Sequence, residues 1–174
     1  MTMRKFALRL IGCSLLGCLV ACATPAPVPT PTPVASITPE QRVATVRAAA
    51  GSDDNEFAVQ PLRDPMVEDL RQSAARLELQ KRYADAAKAI DQALAITPDD
   101  PAVLQERAEV SLLLGEFGNA ETLARRAYAL GAKVGPLCRR HWVAIEQSLK
   151  ARDADAEEAR RQTAACKVAT PERF

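Results

Sequence analysis

Five cysteines and one histidine are the residues of this chain best suited to covalent or metal chemistry. Cys13, Cys18 and Cys22 lie in an apolar amino-terminal segment, whereas Cys138 and Cys166 lie near the carboxyl end. A thiol can be acylated, oxidised to a disulfide or bound to a metal, and its surroundings decide which of these occurs. The two groups of cysteines therefore predict different chemistry.

His141 stands alone as a candidate for acid, base or metal chemistry. No second histidine, cysteine or carboxylate stands around it at the spacing of a metal site, and no glycine-rich loop suits a phosphate. Paired carboxylates could cleave a glycan, but residues such as Glu157, one helical turn from Arg161, indicate a solvated helix face. We therefore expect no enzyme activity, no cofactor and no metal; a glycan-acting enzyme is a remote alternative.

Cys22 ends a segment with the features of an export signal. The basic residues Arg4, Lys5 and Arg9 precede an apolar run over residues 10–21 that is too short for a stable membrane span. With a small alanine directly before the cysteine, this segment resembles the signal peptide of bacterial lipoproteins. The resemblance implies that residues 1–21 are removed and that acyl chains such as palmitate are attached to Cys22.

Two other cleavage sites are the alternatives to Cys22. An ordinary secretory signal would be cut near Ala23, and a second lipoprotein-like site ends at Cys18 but leaves three apolar residues on the mature end. In enterobacterial lipoproteins an aspartate after the lipidated cysteine retains the protein at the inner membrane, and Ala23 is not that residue. The resemblance thus implies a cell-envelope protein anchored in the outer membrane and facing the periplasm.

The charge balance argues against nucleic acid as a partner. Loss of three basic residues with the signal lowers the basic count from 23 to 20, against 22 acidic residues. Phosphate binding needs a clustered positive excess, and no such run is visible.

The chain between the signal and the main domain divides into two parts. Residues 22–38 are rich in proline, which favours an extended polyproline spacer. Residues 39–64 are predicted to form a short helix and a loop, because Thr38, Pro39 and Gln41 make a capping box at a helix start.

Residues 65–168 contain a repeat with an offset of 34 residues. Small or bulky residues recur at matching positions, and Asp64 and Asp100, each followed by proline, mark helix starts. This resembles the tetratricopeptide repeat, a pair of antiparallel helices in which small residues permit close packing. The predicted packing positions are Leu70, Ala74, Tyr83, Ala86 and Ala93 in the first unit and Leu104, Ala108, Phe117, Ala120 and Ala127 in the second.

The third unit matches the pattern weakly, which is typical of the capping end of a solenoid. We therefore predict an all-α fold: a short tetratricopeptide-like α-solenoid with two clear hairpins, a degenerate capping hairpin and a flexible tail over residues 169–174.

Cys138 and Cys166 are predicted to form a disulfide. They are the two cysteines left in an oxidising compartment, and they stand at equal distances from a hairpin turn expected near Arg152. Two buried thiols are the alternative.

The resemblance implies a concave surface, lined by the first helix of each hairpin, that binds a protein or peptide. Those helices could instead be covered by residues 57–62 or by neighbouring helices. We expect an adaptor or scaffold, with a pilotin-like accessory subunit of an envelope assembly or secretion machine and a homodimer as alternatives. The groove residues would be Arg71, Glu78, Leu79, Gln105, Glu109, Leu112, Leu113 and Arg139.

Overall fold

The computed structural model describes residues 37–51 and 64–167, and within them the chain is all-helical with no strand. The predicted signal, Cys22, most of the spacer, residues 52–63 and the tail lie outside the described residues. The all-α prediction is confirmed. The helices are α1 Pro39–Ala48, α2 Pro65–Leu79, α3 Tyr83–Ile96, α4 Pro101–Leu113, α5 Phe117–Leu130, α6 Gly135–Lys150 and α7 Glu157–Ala165.

Three helices begin where the sequence predicts a cap. Thr38 accepts a hydrogen bond from the backbone N–H of Gln41, whose side chain accepts from the Thr38 backbone N–H, which completes a capping box. Asp64 and Asp100 accept from the N–H groups two residues later, each at 2.8 Å. These contacts satisfy N–H groups that have no partner inside the helix.

The six helices after α1 form three antiparallel hairpins, α2 with α3, α4 with α5 and α6 with α7. Each turn has the same geometry: the first helix ends in a Schellman motif, and one residue of each motif has positive φ. Those residues are Lys81 at 58°, Gly115 at 75° and Asp153 at 53°. The backbone hydrogen bonds that close the motifs run from Arg82 to Leu77, Glu116 to Ser111 and Ala154 to Leu149.

Small side chains lie between the packed helices. All six alanines predicted as packing positions are buried, and the bulky Leu104 is buried beside them. Leu70, Tyr83 and Phe117 are partly buried against the core. Alanine at these positions permits a close approach of helix backbones that a larger side chain would prevent.

Helix α1 belongs to the hydrophobic core although it precedes the hairpins. Val43 and Val46 are buried in one cluster with Leu112, Leu113 and residues of α5, α6 and α7. The helix lies against α4 and α6. It therefore covers part of the surface formed by the first helices of the hairpins.

The carboxyl-terminal hairpin holds a disulfide between Cys138, near the start of α6, and Cys166, directly after α7. Their Cα atoms are 5.7 Å apart, and the Gly135 N–H donates to the Cys166 carbonyl at 2.7 Å. The turn between the helices spans residues 151–156 and includes Arg152, near which the sequence predicts it. None of the described helices has the length and apolar character that a membrane span needs.

Candidate binding cleft

Several residues that the sequence predicts to line the groove are buried in the structure. Gln105, Glu109, Leu112 and Leu113 of α4 are all buried, so these side chains are not an open surface. The physical reason is packing by two helices: α1 lies against Glu109, Leu112 and Leu113, and α6 contacts Gln105 through His141. The sequence left the source of such a cover open between residues 57–62 and neighbouring helices; α1 and α6 provide it, and residues 57–62 lie outside the described residues.

Arg47 fixes α1 to two hairpins through carboxylates. Its Nε donates to Glu109 Oε2 at 2.8 Å, and its Nη2 donates to Glu78 Oε2 at 2.7 Å. Glu109 is fully buried and also accepts from Nε of Arg140 at 3.1 Å. Burial opposes the charge of Arg47, but the charge and hydrogen bond of Glu109 outweigh it and raise the pKa of Arg47 above its ordinary value.

Both ends of α1 are held as well. Near its start, Glu40 accepts a hydrogen bond from the Tyr83 hydroxyl at 2.7 Å, and this bond lowers the pKa of Glu40. At its end, Arg139 donates to the carbonyls of Ala49 and Ala50, from Nε at 2.9 Å and Nη2 at 2.5 Å. Arg139, predicted to line the groove, thus caps the carboxyl end of α1, where carbonyls lack helical partners.

An open cleft of about 620 Å³ remains between α1 and α2. This volume falls within the range of about 300 to 1,000 Å³ that is typical of ligand-binding clefts. Leu79 lies at its wall with 87% of its surface exposed, and Arg71 is fixed there by Glu106 and by Glu68, the latter at 2.6 Å. The predicted groove residues that line the cleft are Arg71, Glu78, Leu79, Glu109 and Leu113.

A buried polar chain lies behind the carboxylate of Glu109. Nε2 of Gln105 donates to Glu109 Oε1 at 3.0 Å, and Oε1 of Gln105 faces Nδ1 of His141 at 2.7 Å. Because Oε1 accepts, the imidazole carries its proton on Nδ1, and Nε2 has no hydrogen-bond partner. Burial, reinforced by the charges of Arg140 and Lys133, lowers the pKa of His141 to about 3.

Among the residues that the structure describes, those lining the cleft have the features of a binding site. His141 is neutral, buried and absent from the cleft lining. Among the described residues, no three histidine, cysteine, aspartate or glutamate side chains stand together as metal ligands. Arg47, Arg71 and Arg140 pair with carboxylates of the cleft. These pairs fix the polar groups in position, which suits recognition of a ligand by preformed polar walls.

Glu40, Val43 and Arg47 line this cleft, although the sequence pattern does not predict them as site residues. A signal was present, because residues 42–47 read Arg-Val-Ala-Thr-Val-Arg, with two valines three positions apart flanked by arginines. That spacing places both valines on one face of a helix.

No family model matches this chain, and no curated protein matches it. Among solved structures, the chain is similar to the globular C-terminal domain of LpoP from P. aeruginosa, with a TM-score of 0.56 and 26% sequence identity. The similarity covers 59% of this chain and 99% of that domain. The chain therefore contains a counterpart of a complete helical domain.

Proposed function

We propose that this protein is a lipid-anchored adaptor of the bacterial cell envelope that binds a short segment of a partner protein between α1 and α2. The observation that carries the proposal is the open cleft of about 620 Å³, whose wall exposes Leu79 beside fixed arginine–glutamate pairs. A concave site with apolar surface and a few positioned polar groups is typical of binding sites.

The size of the cleft limits what it can hold. Because α1 lies against α4 and α6, the open part of the concave face is bounded by α2, and it has room for a few side chains of a partner. The rest of the concave face is filled by α1 in the manner of a helix bound in a groove. We therefore propose recognition of a short segment and not of a long helix.

The anchor is proposed from the sequence. Lipid on Cys22 would hold the chain at the outer membrane, and a polyproline spacer of roughly 40 Å would keep the helical domain clear of the lipid headgroups. The similarity to the globular C-terminal domain of LpoP supports a helical domain of the same general kind. Replacement of Cys22 by serine should release the protein from membranes, as fractionation would measure.

Site-specific photocrosslinking in cells tests the binding site. A photoreactive residue at position 79 should give a discrete adduct with an envelope protein. The same residue at position 130, where Leu130 is 47% exposed outside the cleft, is the matched control and should give none. No adduct at position 79, or equal adducts at both positions, would refute binding in the cleft.

A further inference from the structure

The charges that line the cleft favour one kind of partner segment. Five carboxylates line it against three guanidinium groups, so the cleft has an excess of negative charge. A concave surface lined by an excess of one charge concentrates the field and attracts the opposite charge. The carboxylates are Glu40, Glu68, Glu78, Glu106 and Glu109, and the guanidinium groups are Arg47, Arg71 and Arg140.

The carboxylates differ in their access to a partner. Glu109 is buried, and Glu106 and Glu68 both pair with Arg71. The side chain of Glu68 is the more accessible of these two, with 42% of its surface exposed against 22% for Glu106. Glu40 lies at the surface, and its hydrogen bond comes from the neutral hydroxyl of Tyr83. A positive side chain entering the cleft would therefore meet Glu40 on the α1 side and Glu68 on the α2 side.

Helix α1 shows that this concave face already accommodates such chemistry. Its Arg47 binds the carboxylates of Glu78 and Glu109, while Val43 and Val46 are buried beside Leu113. The concave face therefore already binds, within this chain, an arginine that stands next to small aliphatic side chains. The open cleft continues from this contact, because Val43, Arg47 and Leu113 also line it.

We propose that the cleft between α1 and α2 binds a partner segment in which an aliphatic side chain is flanked by arginine or lysine. The aliphatic group packs against Leu79, Ala75 and Val43, and the positive groups face Glu40 and Glu68. This inference rests on the proposed function and specifies the composition of the segment.

Binding of short synthetic peptides to the full chain, purified in nonionic detergent, tests the inference by fluorescence anisotropy. The first probe is a labelled, capped peptide Arg-Val-Leu-Val-Arg. The second has glutamate in place of both arginines, and the third has serine in place of the three aliphatic residues. The first probe should bind at least tenfold more tightly than either of the others, and its affinity should fall as salt concentration rises.

Two double variants identify the carboxylates. Glu40→Gln with Glu68→Gln should weaken binding of the first probe by about fivefold, which is the size expected for two exposed ion pairs. Glu157→Gln with Glu158→Gln, which removes two exposed carboxylates of α7 outside the cleft, should leave the affinity unchanged.

The results separate this inference from the proposed function. Equal binding of the three probes, preference for the acidic probe, absence of binding, or equal effects of the two double variants would overturn the inference. If a crosslink at position 79 persists in any of those cases, the cleft still binds a partner of other composition. Loss of that crosslink would refute the proposed function itself.

Discussion

Acidification from pH 7 to pH 5 should destabilise the fold through one residue, His141. This side chain is the single histidine of the chain, is fully buried, and has a pKa of about 3 in the folded protein against an ordinary value of 6.5. Protonation would place a charge on Nε2, which has no hydrogen-bond partner. The neutral form is therefore the one that the folded protein accepts.

The sign and magnitude follow from proton binding. Between pH 6.5 and about pH 3 the unfolded chain takes up a proton at this residue and the folded chain does not, so stability falls as the pH falls. A solution at pH 5 is 1.5 pH units below the pKa of 6.5 that His141 has in the unfolded chain. This difference corresponds to a loss of about 2 kcal/mol in the free energy of unfolding. Carboxylates with a lowered pKa, such as Glu40 and Asp85, also stabilise the fold, but that stabilisation is lost mainly near pH 4, where their ordinary pKa values lie. Their titration therefore falls mostly below the range from pH 7 to pH 5.

Urea denaturation at pH 7, 6 and 5, followed by circular dichroism, measures this loss. The matched variant is His141→Asn, because the asparagine amide can still donate to Gln105 Oε1 but does not titrate. The variant should be less stable than the wild type at pH 7, since it leaves a small cavity, yet its stability should be nearly the same at pH 5 and pH 7. A wild-type loss below 0.5 kcal/mol, or an equal loss in the variant, would refute the reasoning.

Three further changes test the packing. Arg47→Met should lower the free energy of unfolding by about 1 to 3 kcal/mol and speed hydrogen exchange in α1, because Glu109 loses one of its two cations. Unchanged exchange in α1 would contradict the role of Arg47 in fixing this helix. Cys166→Ser should lower the free energy of unfolding, measured by thermal denaturation, by about 2 to 4 kcal/mol. A reductant should destabilise the wild type by the same amount and should have no effect on the variant. Lys81→Gly should stabilise the fold by about 0.5 to 1 kcal/mol, since glycine adopts the positive φ without strain, as Gly115 does in the next hairpin; a lower urea midpoint would contradict it.

The hairpins could be predicted from the sequence because their signals are local. Aspartate followed by proline marks the starts of α2 and α4, and alanines at an offset of 34 residues mark the contacts between helices. A helix cap depends on residues within one turn, and the alanines recur at a fixed offset, so both patterns can be read directly from the sequence. Glu78 and Glu109, both predicted as groove residues, bind the same arginine, Arg47.

The cover over the groove could not be predicted in the same way. Helix α1 has only Val43 and Val46 as buried residues, and its partners in α4 and α6 are more than 60 positions away in the sequence. No local pattern specifies where a short helix with so little apolar surface will pack. Two arginines help to specify the contact across long separations, Arg47 by binding the Glu109 carboxylate and Arg139 by donating to the Ala49 carbonyl.

The most direct test of the account is the position of the bound partner segment in the complex captured through position 79. Intermolecular methyl nuclear Overhauser effects, measured on that complex, should connect the segment to Val43, Ala75 and Leu113, which line the cleft between α1 and α2. Contacts confined to Ile96 and Leu130, which are exposed outside the cleft, would contradict the account.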